Sequence, residues 1–296
     1  MSDPSSPSVL CFGEILWDCL PAGLFPGGAP FNVGYHLHLR GVSVHLVSAV
    51  GKDFLGEDLL RRLHRWGLKT GGVEQFADTP TGTVLATLGA KGDAHYEITR
   101  NVAWDKISAS PATLTRASSC QALVYGSLAQ RSETNRATLQ AILDRLPASA
   151  QRIFDVNLRA PFDDLSRVRT LAKSATVLKV NDDEAARLTG QPRELHLLEP
   201  QARRLAADSG ARRVIITAGS AGAGLLQDAV WYWEPGREVK VADTIGAGDS
   251  FLATFVSEDL KGTLTPPEIL AKACRVGEWV ASVPGATPAY TDATPR

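Results

Sequence analysis

The chain has 296 residues, 44% of them hydrophobic and 21% charged, with 31 Lys+Arg against 32 Asp+Glu. This composition predicts an ordinary soluble globular protein with room for one large domain, and the net charge of -1 offers no basic field for nucleic acid or an anionic membrane. Four cysteines, Cys11, Cys19, Cys120 and Cys274, are scattered without a C-x-x-C pair, which argues against a zinc site or a disulfide framework and for a reducing cytoplasm.

Residues 1–7 are polar, lack a basic n-region and read as a short disordered tail, and no apolar run approaches membrane length. Residues 9–12 form a short apolar run ended by Gly13 and Glu14, the pattern of a buried parallel strand. Asp18 lies just beyond it, where open α/β sheets hold their ligands, so its carboxylate either binds a ligand hydroxyl or is a solvated loop residue. In the run 25–34 the paired glycines Gly27 and Gly28 allow close backbone approach to a ligand, and Pro30 suits the first turn of a helix reaching 39–41. Phe31, Tyr35 and Leu39 share one face of that helix, with Val33 and Leu37 on a neighbouring one. Asn32, in its first turn, can donate and accept to a polyol. His36 and His38 are two apart, diverge around the helix and do not read as a metal pair. A strand at 44–50 and an amphipathic helix at 56–66 follow.

Residues 83–88 and 94–99, joined by a turn at 89–93, read as a β-hairpin with no crossover helix. A hairpin that interrupts a β-α-β rhythm predicts an excursion from the main sheet, either a lid over the crevice or a dimerisation surface. The alternation then resumes: strands at 122–125, 153–156 and 177–180, helices at 134–145, 165–175 and 183–188, hence a doubly wound, mainly parallel sheet with helices on both faces. Polar residues collect at the strand ends, in Asp155-Val156-Asn157-Leu158-Arg159 and in Lys179-Val180-Asn181-Asp182-Asp183-Glu184. Asn181 and Glu184 would share one face of a helix starting there. Glu184 would then either hold magnesium, directly or through water, or serve as an acidic helix-start residue.

Gly219, Gly222 and Gly224 read G-x-x-G-x-G and precede a strand pair rather than a helix, so they are not a dinucleotide fingerprint, and no P-loop motif is present. The most informative stretch is 241–255. It reads as a strand end, a glycine loop Gly246-Ala247-Gly248, Asp249-Ser250 at the cap position, and a helix with Phe251, Leu252, Phe255 and Val256 on its apolar face. Such a helix start attracts a phosphate, and a carboxylate at its mouth suits a base acting on the nucleophile better than a phosphate ligand. A last helix runs from 266 to about 283.

Gly27-Gly28-Ala29-Pro30-Phe31-Asn32 together with Asp243-Thr244-Ile245-Gly246-Ala247-Gly248-Asp249 closely resembles the two signatures of the ribokinase (PfkB) family of carbohydrate kinases, and the resemblance covers nearly the whole chain. Residues 13–18 and 155–159 look most like its fructokinase branch. Gly34 departs from the Ser, Thr or Ala usual in the family, a slight loss of helix propensity.

The resemblance implies a ribokinase-like domain over 8–296 with a small β lid inserted at 15–26 and 81–106, and the reaction ATP + sugar → ADP + sugar phosphate; the lid's exposed sheet is the candidate surface for a homodimer. Asp249 would be the base, and the N–H groups of Gly246, Ala247 and Gly248 would hold the transferred charge. Asp18, Gly28, Asn32 and Arg159 would bind the sugar, Asn181 and Glu184 the triphosphate and Mg2+, and Thr217, Gly219, Gly222 and Gly224 the nucleotide. Asp243, with carbonyls of Ile245 and residues 281–285, is the candidate site for a monovalent cation such as K+. D-fructose is the expected acceptor. Ribose, 2-keto-3-deoxygluconate and adenosine are the alternatives, and ADP as donor or a non-catalytic sugar-binding regulator are the others the sequence leaves open.

Overall fold

A computed structural model of the chain describes residues 6–20, 23–88 and 94–295. In chain order the elements are β1 (Ser8–Phe12), β2 (Leu16–Leu20), β3 (Gly23–Gly27), α1 (Ala29–Leu39), β4 (Ser43–Gly51), α2 (Phe54–Arg65) and β5 (Val73–Phe76). Then come β6 (Gly82–Leu88), β7 (Ala94–Ile98), α3 (Pro111–Ala117), β8 (Ala122–Gly126), α4 (Glu133–Leu143), β9 (Gln151–Asp155) and α5 (Leu165–Ala172). The last are β10 (Val177–Asn181), α6 (Asp182–Thr189), α7 (Leu198–Ser209), β11 (Arg213–Thr217), β12 (Gly222–Gln227), β13 (Val230–Pro235), α8 (Ala247–Lys261) and α9 (Pro266–Ala281).

Nine strands form one sheet in the order β13-β12-β11-β10-β9-β8-β1-β4-β5. All neighbours from β11 to β5 are parallel, while β12 and β13 add an antiparallel edge. Period-two alternation sorts the core. Val9 and Cys11 of β1 face one apolar cluster with α1, α2, α8 and α9, whereas Leu10 and Phe12 face the other with α3 to α7. The strand order reverses around β1, so the crevice beyond the carboxyl ends of β1 and β8 is where a ligand is expected.

Four further strands, in the order β3-β2-β6-β7, form a second small sheet that enters the chain twice, between β1 and α1 and between β5 and α3. The expected hairpin is thus β6 and β7, pairing antiparallel from Val84↔Ile98 to Leu88↔Ala94; its turn at 89–93 lies outside the described residues, as does most of the tail expected at 1–7. Strand β5 and helices α3 and α7 were not expected from the sequence. At Gly34 an added Cβ would sit 2.7 Å from Leu46 Cδ2, so the small residue lets α1 approach β4 closely.

Candidate active site

The glycine loop differs from its expected shape in two ways. Residues 236–246 form no strand; instead the Ala242 and Asp243 N–H groups donate to Ala281 O at 2.9 and 3.2 Å. Gly246, not Asp249, caps α8, with φ 78°, and a Cβ there would lie 2.6 Å from Ala286 Cα, so the position demands glycine. Asp249 therefore stands inside the first turn, where helical N–H groups have no intrahelical acceptor and the positive end of the helix dipole lies. Of the three expected anion donors, Ala247 N–H already donates to Thr244 O at 3.3 Å. Asp243 braces the loop from below, its carboxylate accepting from Ile245 N–H at 2.9 Å and Gly285 N–H at 3.3 Å.

Asn32 reaches Asp249 from α1, its Nδ2 donating to Asp249 Oδ2 at 2.8 Å. The Asn32 Oδ1 is buried and has no partner, which leaves an acceptor beside the carboxylate for an incoming hydroxyl. Burial pushes the Asp249 pKa up to about 6; Asp155 adds to the rise, while Asn32, Lys179 and Arg159 oppose it. Asp18, on β2, is likewise raised to about 6 by burial, against Arg159 and with Asp249 and Asp243. Its carboxylate packs against Gly27, where a Cβ would collide with it. Gly28 has φ 110°, and a Cβ there would strike the Glu14 carbonyl, which is why the paired glycines precede α1. Arg159 is exposed, donates from Nη1 to Leu158 O at 3.0 Å, and lies within electrostatic range of Asp18, Asp249 and Glu14. The structure thus brings Asp18, Gly28, Asn32, Arg159 and Asp249 to one place from four separate segments.

Three further residues at this place, Glu14, Asp155 and Lys179, stand in stretches noted in the sequence but were assigned no role there. Asp155 and Lys179 are paired in register across β9 and β10, and alternation points both toward the α8 face, as for Ile153 and Val177. Lys179 Nζ donates to Asp155 Oδ1 at 2.9 Å and sits 3.3 Å from the place a Gly248 Cβ would occupy. Burial works against its charge, but Asp155, Glu184 and Asp249 outweigh it and hold the ammonium above its ordinary value. The ammonium therefore borders the 246–248 glycine loop. A lysine inside the apolar run Val177-Leu178-Lys179-Val180 was the available signal.

Asn181 and Glu184 form a reciprocal cap on α6. Asn181 Oδ1 accepts from Glu184 N–H at 2.8 Å, and Glu184 Oε2 accepts from Asn181 N–H at 2.9 Å. Glu184 Oε1 also accepts from Leu158 N–H at 2.7 Å, so this buried carboxylate ties α6 to the 157–159 turn. Each oxygen keeps a second lone pair, and with Lys179 nearby the donor set fits a hydrated Mg2+ better than direct ligation. Thr217 sits beside Asn181 in the register of β10 and β11, with Gly219 just past it at φ 54°. Gly222 and Gly224 have packing reasons of their own, since a Cβ would meet Glu234 O in one case and the Trp231 ring in the other. No group of three His, Cys, Asp or Glu side chains arranged to hold a metal occurs among the described residues, and no helix among them is long and apolar enough to cross a membrane.

The sequence profile of the pfkB family carbohydrate kinases matches residues 9–293. The chain belongs to this family. It is therefore a phosphotransferase with a sugar hydroxyl as acceptor, on a ribokinase-like fold. Fructokinase-2 of Solanum lycopersicum is 27% identical over 315 residues, covering 98% of this chain and 95% of the relative. Among solved structures, a candidate ribokinase II from E. coli in complex with ATP and Mg2+ superposes with a TM-score of 0.82 at 20% identity, covering 95% of this chain and 94% of that one. A fructokinase double mutant from Vibrio cholerae O395, bound to fructose, ADP and a potassium ion, gives 0.81 at 22% identity over 96% and 95%. At these identities the two structures speak for the fold.

Proposed function

We propose that this carbohydrate kinase transfers the γ-phosphoryl group of ATP to a hydroxyl of D-fructose. The observation that carries the reading is the 2.8 Å contact of Asn32 with Asp249 at the N-terminus of α8, with an unpartnered acceptor on Asn32 beside it. A sugar hydroxyl entering there would donate to Asp249. As its oxygen forms the new bond to the γ-phosphorus, the bond to the ADP oxygen breaks and the proton passes to the Asp249 carboxylate. The N–H groups of Gly246 and Gly248 would face the charge on the transferred group, each such donor typically adding ~3 kcal/mol in a dry site, and that of Ala247 would join them only by leaving Thr244 O. Mg2+, when bound, would neutralise charge on the triphosphate, and Glu184 with Asn181 would hold it through water. Asp243 and the carbonyls it adjoins would hold K+, as the potassium-bound neighbour suggests. Thr217, Gly219, Gly222 and Gly224 would border the nucleotide. The small sheet would close over the crevice and, with Leu24, Phe25 and Leu85 exposed on it, pair with a second copy.

Fructose is favoured by the fructokinase names of relatives at 27–28% identity and by a site rich in hydroxyl-binding groups. A second reading comes from Arg159: a guanidinium at the mouth of the crevice also suits a sugar acid such as 2-keto-3-deoxygluconate, whose carboxylate it would clamp in a bidentate pair. A coupled ADP-release assay on fructose, ribose, adenosine and 2-keto-3-deoxygluconate decides between them. The expected result is the highest kcat/KM for fructose with ATP as donor. A tenfold preference for another acceptor overturns the fructose assignment.

A further inference from the structure

We infer that Glu14 is a positioning residue for phosphoryl transfer: it caps α1 from outside the helix and so fixes Asn32, and through Asn32 the Asp249 carboxylate. This rests on the reading of Asp249 as the base. Helices α2, α3, α5 and α6 are each capped by the side chain next to them, Asp53, Ser110, Asp164 and Asn181. Helix α1 cannot be. Its cap position is Gly28, held at φ 110° with the Glu14 carbonyl where a Cβ would go, so no side chain fits there, and its first turn contains no acidic residue. The missing acceptor comes from fifteen positions upstream, where Glu14 Oε1 accepts from the Ala29 N–H at 3.3 Å. One residue thus both excludes a local cap and replaces it.

The consequence reaches the base in two steps. The first turn that Glu14 closes carries the Asn32 N–H to Gly28 O bond at 2.8 Å, and the Asn32 side chain carries the 2.8 Å contact to Asp249. Glu14 is 3% exposed and its Oε2 is buried with no partner, a costly arrangement for a group whose task is merely to end a helix. Burial raises its pKa to about 7, with Asp249 adding to the rise and Arg159 opposing it. The carboxyl accepts from Ala29 in either protonation state, so an uncharged acceptor of the same length should replace it.

The test is a double-mutant cycle with a conservative rescue. Glu14→Ala should lower kcat at least ~10-fold, the scale of a slightly misplaced reacting group, while KM for ATP stays within about twofold. Glu14→Gln should stay within about threefold of wild type. In an Asn32→Ala background Glu14→Ala should lower kcat by less than about threefold, because the link it acts through is already gone. Equal losses for Ala and Gln, equal losses in both backgrounds, or no loss at all would each overturn the inference. Asp249→Asn is assayed alongside. If that variant is active the base reading itself has failed, and if it is inactive a failure of the cycle falls on Glu14 alone. Should Glu14→Ala not fold, Glu14→Gln and its cycle with Asn32→Ala still decide, since the inference requires the Glu14→Gln enzyme to keep its activity.

Discussion

Asp249→Asn separates what this residue does for the reaction from what it does to the fold. The amide oxygen of asparagine still accepts from Asn32 Nδ2, so the 2.8 Å contact survives, but the group can no longer take a proton. Loss of a positioned base should lower kcat at least ~100-fold with substrate affinities nearly unchanged. Stability should move the other way. Asp249 is half-buried at the surface of the crevice with protein packed around its carboxylate, and its pKa of about 6 stands against an ordinary value of 3.8. A folded-state pKa raised above the unfolded one means that the ionised carboxylate opposes folding. The penalty is fully present above about pH 6 and shrinks as pH falls toward 3.8. Its ceiling is roughly 3 kcal/mol at ~1.4 kcal/mol per pH unit, and solvent reaching the crevice brings it below that. Removing the charge should therefore raise the melting temperature at pH 8 by several degrees, at the ~2–4 °C per kcal/mol usual for large domains, and by about half as much at pH 5. The checks are ADP release at saturating substrates and thermal melts at both pH values. A variant keeping a tenth of the wild-type rate refutes the base assignment, and one that melts earlier at pH 8 refutes the electrostatic argument.

Two further outcomes follow from the same electrostatics. The acid limb of kcat/KM should fall as pH drops through about 6, because burial raises the Asp249 pKa to that region and only the ionised form accepts a proton; a profile flat down to pH 5 contradicts this. Glu184→Gln should raise the Mg2+ concentration needed for half-maximal rate, and an unchanged titration would leave Glu184 as the α6 cap its hydrogen bonds describe.

The parts of the site that could be read in the sequence are those where geometry forbids a side chain. Gly28 and Gly246 both have positive φ and both stand where a Cβ would meet neighbouring backbone, so the chain must spell them as glycine and the motifs stay visible. Asn32 and Asp249 could be read because each sits a fixed few residues from such a glycine. The shape of the loop was less legible. The run Val241-Ala242-Asp243 resembles a strand end, yet the Ala242 and Asp243 N–H groups go to one carbonyl, Ala281 O, a partner 38 or more residues away that no local pattern announces. Helices α3 and α7 did leave signals, Ser110 before Pro111 and the spacing of Leu198, Ala202 and Leu205, and were missed because prolines in their first turns resemble loop punctuation.

Charge placement is where sequence reading ended. Asp155 and Lys179 look like unrelated polar residues near the ends of two strands, and only the register that sets them side by side makes them an ion pair, its ammonium beside the 246–248 loop. Asp155 raises the proton affinity of Asp249 and Lys179 lowers it, so this pair helps set the pH at which Asp249 ionises without hydrogen-bonding to it. The strands that carry the pair are held by apolar neighbours on both faces, Phe154 and Leu178 on one side and Ile153 and Val177 on the other. The core therefore does more than stabilise the sheet. By fixing β9 against β10 it fixes the distance between two buried charges, and by packing Phe251 and Leu252 of α8 onto the same face it fixes where Asp249 stands relative to both.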